Sequence, residues 1–545
     1  MTTYKENADA AAGVSTAYKI APGDALTGSL TIGDSDWIKI GLTAGKAYQF
    51  DVTGTVGWAT LLVTDADGIA LDIDINNRDN QFTASTLKFV PEKTGTYYIR
   101  VGSHDDEWSG KYTLKTAVVA TPKFASYDAI ATQLTTNFWK SEGSAPYKFD
   151  IRAGDTLTVN IASLTSQGQQ LAKWALTAWT EASGIKFKYV SGAAQISFDD
   201  KESGSFGGAS SIIGGHTVSG IVNVAASWIK SYGAGPDSYV LETYIHEIGH
   251  ALGLGHAGNY NGNAIFGTSN LFSNDSDRLT VMSYFDAQEN PWVAASPAIA
   301  VTPMMVDILA IRALYGTTAI NAGNTKYDLK ADFDGKAIAM TLVDTGGTDT
   351  FDFSWAAATQ KIDLNAEKFS NVAGGISNLA LARGTVIENA IGGKGVDVIT
   401  GNSAANTLDG RAGNDKISGA GGNDKLYGGA GSDTLSGGSG KDAFVFNTAL
   451  GSKNVDLIND FSPVDDVIHL ENAIFTSFTK TGAISSASFI KGTTPAAKDA
   501  NDFLIYETDT GNLYYDANGN KSGGPVLFVH LQKDLALTYQ DFLIV

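Results

Sequence analysis

From Gly392 onwards the chain contains six consecutive units of nine residues, and this repeat limits the possible fold more than any other feature. The units read GGKGVDVIT, GNSAANTLD, GRAGNDKIS, GAGGNDKLY, GGAGSDTLS and GGSGKDAFV. Each unit predicts a tight glycine-rich turn followed by a short strand with one large apolar residue facing inward. Those residues are Ile399, Leu408, Ile417, Leu426, Leu435 and Phe444. A flexible acidic linker, the alternative for a tract rich in glycine and aspartate, does not explain their constant register.

One apolar side chain per nine residues does not offset the entropy of ordering each turn. The repeat therefore predicts that bound calcium supplies the remaining stability, with carboxylates and turn carbonyls as ligands. The candidate carboxylates are Asp397, Asp415, Asp424, Asp433 and Asp442. The candidate turn glycines are Gly393, Gly395, Gly410, Gly413, Gly428, Gly431, Gly437 and Gly440. Asn406 replaces aspartate in the second unit, which predicts a weaker half-site there.

The stretch from His246 to His256 reads HEIGHALGLGH and fits H-E-x-x-H-x-x-G-x-x-H. His246 and His250 are four residues apart, so on a helix both imidazoles project from one face toward one ion. Glu247 lies beside the first of them, in position to take a proton from an attacking water. Gly253 lets the chain leave the helix, and the turn returns His256 as a third nitrogen ligand. Three protein ligands leave a position open, as catalytic zinc requires.

The surroundings of this motif agree with a helix that carries it. Pro236, Asp237 and Ser238 predict the helix start. An apolar stripe at helical spacing follows, consisting of Leu241, Ile245, Ile248 and Leu252. Downstream, residues 281–285 read VMSYF, which is typical of the methionine-containing turn beneath the histidines of metzincins.

Three segments together resemble the serralysin family of secreted bacterial zinc proteases: TYIHEIGHALGLGHAGNYN, VMSYF and AVTPMMVDILAIRALYG. The resemblance implies an α+β metzincin catalytic domain in which the three histidines bind one zinc ion. It implies that Glu247 is the general base, and later the acid that protonates the leaving amine. Tyr284 would be an auxiliary zinc ligand that swings to stabilise the oxyanion when substrate is bound. The implied reaction is peptide-bond hydrolysis on protein or peptide substrates.

The repeats themselves are similar to the calcium-binding parallel β-roll of RTX proteins. The resemblance to serralysins continues in the segments that precede the repeats. The segments DTGGTDTFDFS and ARGTVIENAIGG resemble the serralysin segment that joins protease to roll. They imply a further calcium site together with the loop NAGNT, although family members often carry arginine where Asn321 stands. Its residues are Asn321, Gly323, Thr325, Asp344, Gly346, Gly347 and Asp349.

After Phe446 the repeats stop, and segments such as VDDVIHL and PVLFVHL predict a capping β-structure. The chain ends on Asp541 followed by four apolar residues, which resembles the uncleaved signal of type I secretion substrates. The N-terminus shows no basic-then-apolar signal peptide. We therefore expect a secreted, extracellular protein exported by a type I apparatus.

Residues before about Val119 contain six evenly spaced strand-like runs that predict an all-β sandwich. The pieces DSDWIKIGLTAGKAYQFDVTG and TGTYYIRVGS resemble the bacterial pre-peptidase C-terminal domain. Acidic pairs in this region are interpreted as solvated turns, with calcium binding as the alternative. They are Asp34 and Asp36, Asp65 and Asp67, and Asp72 and Asp74.

Between sandwich and repeats, helices are predicted from Ser126, over 166–182, and from Thr302-Pro303 to Gly316. IKFKYV, AQISFDD and IVNVAA predict strands, and we expect the last to be an edge strand that pairs with extended substrate. His104, His216, His469 and His530 have no ligand spacing, so we interpret them as structural or surface residues.

The chain has 545 residues, too many for one core. The predicted domains are 1–120 (sandwich), 121–316 (protease) and 317–545 (β-roll with cap). A net charge of −20 argues against nucleic-acid partners. No apolar run is as long as a membrane-spanning helix, so we expect no membrane insertion. The absence of cysteine excludes disulfides and cysteine-based zinc ligation. A monomer is expected.

Two alternatives to a broad-specificity endopeptidase stay open at this point. One is a calcium-dependent RTX surface or binding protein with a vestigial protease domain. The other is a processing protease that is selective for one substrate through its N-terminal sandwich. The presence of Glu247 and of all three histidines favours the active enzyme.

Overall fold

The computed structural model describes residues 2–6, 13–75, 84–103, 107–494, 496–521 and 524–545. The chain forms two compact units. The first comprises Met1–Thr318, Lys336–Leu342 and Gly375–Ala382, and the second Ala319–Gly335, Val343–Gly374 and Arg383–Val545. No helix among the described residues is both long and apolar enough to cross a membrane.

The first unit begins with ten strands in two five-stranded sheets of order β1-β3-β10-β5-β8 and β2-β4-β9-β6-β7. Alternate residues of both sheets, such as Ile38 and Ile40 of one and Phe50 and Val52 of the other, are buried in a single apolar core. The six predicted strands are all present. The strands are β1 (Thr3–Lys5), β2 (Lys19–Ile20), β3 (Ala25–Leu30), β4 (Asp36–Leu42), β5 (Ala47–Gly54), β6 (Ala59–Thr64), β7 (Ala70–Ile75), β8 (Ala84–Phe89), β9 (Gly95–Ser103) and β10 (Gly110–Val119).

The remainder of the first unit packs helices against a mostly parallel sheet. The helices are α1 (Tyr127–Thr132), continued by a π-helical segment (Gln133–Asn137) and α2 (Phe138–Ser141), α3 (Ser166–Ser183), α4 (Ala226–Tyr232), α5 (Tyr239–Ala251) and α6 (Met305–Tyr315). The sheet strands are β11 (Lys148–Phe149), β12 (Thr156–Asn160), β13 (Lys186–Tyr189), β14 (Ile196–Asp199), β15 (Ser205–Ile213) and β16 (His216–Val224). Three short parallel strands follow: β17 (Ile299–Ala300), β19 (Ile338–Leu342) and β23 (Leu379–Leu381).

The helix boundaries follow the predicted caps closely. Ser126 accepts a hydrogen bond from Ala129 N at the start of α1, and Gly184 ends α3 in the left-handed conformation with φ 74°. The start of α6 was predicted two residues too early, because Met304 is its N-cap. The buried Asp307 carboxylate accepts from Met304 N and stabilises that helix start in place of Thr302.

The predicted position of the edge strand was wrong. The first four residues of IVNVAA are the end of β16, which pairs with β11 and β14 in parallel and with β15 antiparallel. The edge is β15, whose sequence SFGGASSII was not predicted as a strand. Its two central glycines conceal the strand pattern, and one of them is required by close packing. A Cβ at Gly207 would lie 2.0 Å from the carbonyl oxygen of Glu247 on α5.

The second unit consists mainly of two nine-stranded sheets built from short strands that alternate between them. Strands eighteen residues apart pair in parallel, so that Leu408, Leu426 and Phe444 are adjacent in one sheet and Ile399, Ile417 and Leu435 in the other. All six are buried, which confirms the inward-facing register of the repeat.

The elements of this unit are β18 (Lys326–Tyr327), α7 (Lys330–Phe333), β20 (Thr350–Asp352), β21 (Lys361–Asp363), β22 (Phe369–Ser370), β24 (Asn389–Ile391), β25 (Val398–Thr400), β26 (Thr407–Asp409), β27 (Lys416–Ser418), β28 (Lys425–Tyr427), β29 (Thr434–Ser436), β30 (Ala443–Phe446), β31 (Asp456–Ile458), β32 (Val467–Leu470), β33 (Gly482–Ala483), β34 (Phe489–Gly492), β35 (Leu504–Glu507), β36 (Asn512–Tyr515), β37 (Val526–His530) and β38 (Phe542–Ile544). The parallel coil continues beyond the sequence repeats, because β31 pairs with β29 and β32 with β30. The final residues form β38, which pairs in parallel with β32.

Candidate metal centre

Helix α5 carries the first two histidines. The Ser238 side chain accepts from Leu241 N and caps the helix. The predicted apolar stripe is buried: Leu241 is 3 % exposed, and Ile245, Ile248 and Leu252 are fully enclosed. This burial fixes the rotation of the helix, so that His246, Glu247 and His250 all project from the other side.

The turn after α5 returns the third histidine. Gly253 has φ 104°, and a Cβ there would lie 2.3 Å from the carbonyl oxygen of Tyr147. Only glycine fits this position without displacing the main chain. His256 then lies with its ring centroid 4.5 Å from that of His250 and 5.3 Å from that of His246.

The three imidazoles point their Nε2 atoms at one another. The Nε2 of His256 lies 3.0 Å from the Nε2 of His250 and 3.3 Å from that of His246. Tetrahedral zinc with Zn–N bonds of about 2.0–2.1 Å places its ligand nitrogens about 3.3–3.4 Å apart. The spacing therefore fits a zinc ion, and these are the one group of three potential ligand side chains found among the described residues.

The protonation state of the three histidines also suits metal binding, because their rings stay neutral. Burial lowers the pKa of His246 to about 4 and that of His250 to about 3, and it lowers the pKa of His256 well below its ordinary value. The Nδ1 atoms of His246 and His250 lie 2.7 and 2.8 Å from the carbonyl oxygens of Val281 and Leu254. In neutral rings those contacts place the proton on Nδ1 and direct the Nε2 lone pair at the centre.

The methionine-containing turn lies against α5 as the pattern predicts. Met282 is completely buried, and its sulfur lies 2.7 Å from the position that a Cβ on Gly249 would occupy. Asp307 holds the turn: its carboxylate accepts from Val281 N at 2.8 Å and from the Thr280 hydroxyl. Because the Val281 carbonyl accepts from His246, Asp307 positions this imidazole through one residue, Val281.

Glu247 is 4 % exposed and lies one residue from the first ligand. Burial raises the pKa of Glu247 to about 7, and a hydrogen bond with the Ser205 side chain opposes this shift. A carboxyl group with a pKa near 7 can both accept and return a proton at neutral pH.

Tyr284 lies beside the histidines, with its ring centroid 4.5 Å from that of His256. Its hydroxyl accepts a hydrogen bond of 3.4 Å from Gly262 N. Burial raises the pKa of Tyr284 above its ordinary value, so the hydroxyl keeps its proton and can donate it in a hydrogen bond.

Two supporting residues were not identified from the sequence. The ring of Tyr260 lies 4.9 Å from Tyr284 and 5.5 Å from His256 between centroids, and its hydroxyl donates to Asp275 Oδ1 at 3.1 Å. Asp275 also accepts from Ser283 in the methionine turn at 2.7 Å. Neither residue has a fixed spacing from the histidines that a pattern could reveal.

The repeat aspartates form two ladders in the second unit. The Oδ1 of Asp415 accepts from Asp397 N, that of Asp433 from Asp415 N, and that of Asp442 from Asp424 N. The Oδ2 atoms of Asp415, Asp424, Asp433 and Asp442 are buried without a hydrogen-bond partner. A buried carboxylate oxygen without a donor is costly unless a cation lies beside it, so these atoms fit calcium.

The same environment disfavours the ionised aspartates when they have no cation. Burial raises the pKa of Asp415 to about 8, that of Asp424 to about 7 and that of Asp433 to about 6. In the second unit of the repeat, Asn406 instead donates from Nδ2 to the Glu388 carbonyl and accepts from Asn402 N at Oδ1.

The ladder extends beyond the repeats recognised in the sequence. Asp433 N donates to Asp456 Oδ1 and Asp442 N donates to Asp466 Oδ1, both at 3.0 Å. Longer connections precede these two aspartates, which breaks the nine-residue period that identified the others.

The residues of the loop site predicted by resemblance lie close to one another. Asp344 and Asp349 are fully buried, Thr325 N donates to Asp349 Oδ1 at 2.7 Å, and Asp349 Oδ2 has no hydrogen-bond partner. Gly347 approaches Gly323, since a Cβ on Gly347 would lie 2.6 Å from the Gly323 carbonyl oxygen. Asn321 has φ 50° and donates to the Val343 carbonyl, while Gly346 N donates to Asp344 Oδ1.

The remaining candidates lie apart from these centres. The interpretation of the acidic pairs as solvated turns is wrong for Asp36 and Asp72, which are buried in β4 and β7. Asp65 does form a turn, because its Oδ1 accepts from Asp67 N and Ile69 N. The side chain of Asp74 and the whole of His104 lie outside the described residues.

Two family models match the chain. A model described as metallo-peptidase family M12B reprolysin-like matches residues 144–311, and one described as peptidase M10 serralysin C terminal matches residues 309–524. Serralysin B of Dickeya chrysanthemi is 35 % identical over 254 residues, which cover 42 % of this chain and 52 % of that protein. The chain thus spans about half the length of several curated relatives that it matches.

The match to another serralysin covers more of this chain and more of the relative. Serralysin of Proteus mirabilis is 31 % identical over 386 residues, which cover 63 % of this chain and 72 % of that protein. A solved pre-peptidase C-terminal domain of a Bacillus anthracis collagenase is 22 % identical, with a TM-score of 0.16, over 18 % of this chain and 92 % of that domain. The match across more than two thirds of the Proteus mirabilis protein shows that this chain belongs to the serralysin family.

Proposed function

We propose that the protein is a zinc-dependent endopeptidase that hydrolyses peptide bonds in proteins. The observation that carries the proposal is the convergence of three imidazoles, in which the Nε2 of His256 lies 3.0 and 3.3 Å from those of His250 and His246. The buried Glu247 directly follows His246 in the chain. The names of its relatives support the same reaction, since they are serralysins and metalloproteases.

His246, His250 and His256 would hold a zinc ion, which would supply Lewis acidity for the activation of water and the polarisation of the scissile carbonyl. Glu247 takes the proton of the attacking water and returns it to the leaving amine. Tyr284 moves away from Gly262 N, and its hydroxyl donates a hydrogen bond to the oxyanion. Asp307 holds His246 in place through Val281. Asp275 holds Tyr284 in place through its hydrogen bonds with Ser283 and Tyr260.

Substrate binds in extended conformation along the free edge of β15. This strand pairs with β16 on one side, and its Gly207 lies against Glu247 in α5. Main-chain hydrogen bonds to an exposed strand hold a peptide irrespective of most side chains, which suits a broad-specificity enzyme.

The proposed domains follow from the sequence resemblances and from the order of the secondary-structure elements. We assign residues 1–120 to a β-sandwich resembling a pre-peptidase C-terminal domain, 121–316 to the metzincin protease and 317–545 to the calcium-binding β-roll with its cap. The buried carboxylate oxygens without partners support several structural calcium ions in the last domain. Export of a monomer by a type I apparatus, and an extracellular location, complete the proposal.

The test is casein hydrolysis in millimolar calcium by the wild type and by Glu247→Ala, with zinc content assayed on both. The proposal predicts that both proteins bind one zinc ion and that only the wild type cleaves. If the wild type binds no zinc, the enzyme proposal fails and a calcium-dependent binding protein takes its place. If zinc is bound but casein is not cleaved, broad specificity fails and a narrowly selective protease takes its place.

A further inference from the structure

The helix that follows β10 changes its hydrogen-bonding register between α1 and α2. Residues Gln133–Asn137 are π-helical. Phe138 N therefore donates to the Gln133 carbonyl, whereas in an α-helix it would donate to the Leu134 carbonyl. The Leu134 carbonyl instead accepts from Gly255 N at 2.7 Å. Such π-helical turns are rare and are frequent at functional sites, and this one fixes the main chain one residue before the third histidine.

The same segment packs against the third histidine itself. The Phe138 ring is buried and meets the His256 ring edge-on, with centroids 4.9 Å apart at 84°. Gly255 makes room for this contact, since a Cβ there would overlap the Phe138 ring. An edge-on aromatic contact restricts the imidazole without supplying a hydrogen bond to it.

His256 differs from the other two histidines in how its ring is oriented. The Nδ1 atoms of His246 and His250 are directed by main-chain carbonyls. Among the described residues, no hydrogen bond of normal geometry reaches the buried Nδ1 of His256. Burial and the other two histidines lower the pKa of His256, and the main chain of Tyr260 opposes this shift, so Tyr260 faces the ring. The placement of residues 259–260 therefore decides how well the third histidine is oriented.

Gln133 is the side chain that holds these residues. It is 2 % exposed, and its Nε2 donates to Asn259 Oδ1 at 2.9 Å. Asn259 is exposed and directly precedes Tyr260, whose ring centroid lies 5.5 Å from that of His256 and 4.9 Å from that of Tyr284. Loss of this bond would leave a buried amide donor without a partner, which is costly, so the bond ties Asn259 to the helix.

We propose that Gln133 is a positioning residue for the zinc centre and that it acts through Asn259. Its hydrogen bond holds residues 259–260 in place, and with them the His256 ring and the aromatic ring that supports Tyr284. The inference rests on the proposed endopeptidase function. It also gives the π-helical turn a role, because this turn brings a side-chain amide and a main-chain carbonyl to the same segment.

The experiment measures zinc affinity in the full-length protein with calcium present, by competition with a chromophoric zinc chelator. Gln133→Met keeps the length and shape of the side chain and removes the amide. Asn259→Ala removes the acceptor at an exposed position, where substitutions seldom affect folding. Asn259→Asp is the conservative variant, because it keeps an acceptor for Gln133. Gln169→Met is the matched control, because the Gln169 amide donates to the Leu164 carbonyl at the start of α3.

We expect Gln133→Met and Asn259→Ala each to weaken zinc binding about 10- to 100-fold, as is typical when a residue that orients a ligand is removed. The double variant should bind zinc no more weakly than either single variant, because both changes remove the same hydrogen bond. Asn259→Asp should bind zinc at least as tightly as the wild type, but only while Gln133 is present. Gln169→Met should bind zinc like the wild type. At saturating zinc, Gln133→Met should lower kcat about tenfold with little change in KM, because Tyr284 loses its support.

Unchanged zinc affinity in Gln133→Met or in Asn259→Ala would overturn the inference, since a lower melting temperature alone would assign the hydrogen bond to the stability of the fold. An equal loss of affinity in Gln169→Met would also overturn it, because the effect would then be general. If Gln133→Met does not fold, Asn259→Ala decides the question. A wild type that binds no zinc contradicts the endopeptidase itself, whereas a wild type that binds zinc with unaffected variants contradicts only the role of Gln133.

Discussion

Replacing Asp307 by asparagine should change how the stability of the first unit depends on pH. Asp307 is completely buried and accepts hydrogen bonds from Val281 N, Met304 N and the Thr280 hydroxyl. Asparagine has nearly the same shape, can still accept from the two main-chain groups and can donate from Nδ2 to Thr280. It differs chiefly in having no charge at any pH.

The size of the effect follows from the pKa of Asp307, which burial raises from 3.8 to about 7. The folded state then binds the proton more tightly than the unfolded state, so this contribution to stability is complete below pH 4. It is lost as the pH rises through about 7. The shift corresponds to a change on the order of 4 kcal/mol between these limits. Relative to the wild type, Asp307→Asn should therefore become progressively more stable as the pH rises from 5 to 8.

Differential scanning calorimetry of both proteins at pH 5 and pH 8, with zinc and calcium present, measures this difference. Other buried acids, such as Asp275, titrate in both proteins and cancel. Asp237→Asn is the control, because it replaces a carboxylate that is exposed before α5. A difference between Asp307→Asn and wild type that is the same at both pH values would refute the reasoning. It would mean that the hydrogen bonds keep Asp307 ionised in the folded state.

Three further outcomes are expected. Tyr284→Phe should lower kcat about 100-fold or more with little change in KM, measured by steady-state peptide hydrolysis, because it removes one oxyanion donor; an unchanged kcat would exclude that role. Chelation of calcium by EGTA should unfold the second unit, as followed by circular dichroism, because five buried aspartate oxygens lose their counter-charge. Asp433→Ala should raise the calcium concentration needed for refolding, and a fold that persists in EGTA would contradict this. Gly253→Ala should lower the unfolding free energy by about 1–3 kcal/mol or more and reduce zinc retention, because it combines a positive φ with a main-chain clash; wild-type zinc retention would argue against the strained turn.

Regular local patterns accounted for the parts of the protein that were predicted correctly. Histidines at i and i+4 share a helix face, and Ser238 and Gly253 mark the ends of that helix because capping and positive φ restrict residue type. The eighth position of each nine-residue unit is buried for the same reason, since a constant period places Leu408 and Leu426 in one row.

The errors occurred where long-range packing overrides local preference. β15 was missed because its two glycines weaken the strand pattern, although Gly207 is required by its close approach to α5, and the edge was consequently assigned to β16. Asp456 and Asp466 were missed because longer connections interrupt the period, although the ladder itself continues.

The sequence by itself determined which residues can ligate metal and on which faces of local elements they lie, since those properties depend on side-chain chemistry and on short fixed spacings. Only the tertiary structure decided that Asp307 holds Val281 against His246, and that Tyr260 and Asp275 support Tyr284. These contacts join residues far apart in the chain. No local period encodes them, and they arise only when burial of the apolar faces brings the elements together.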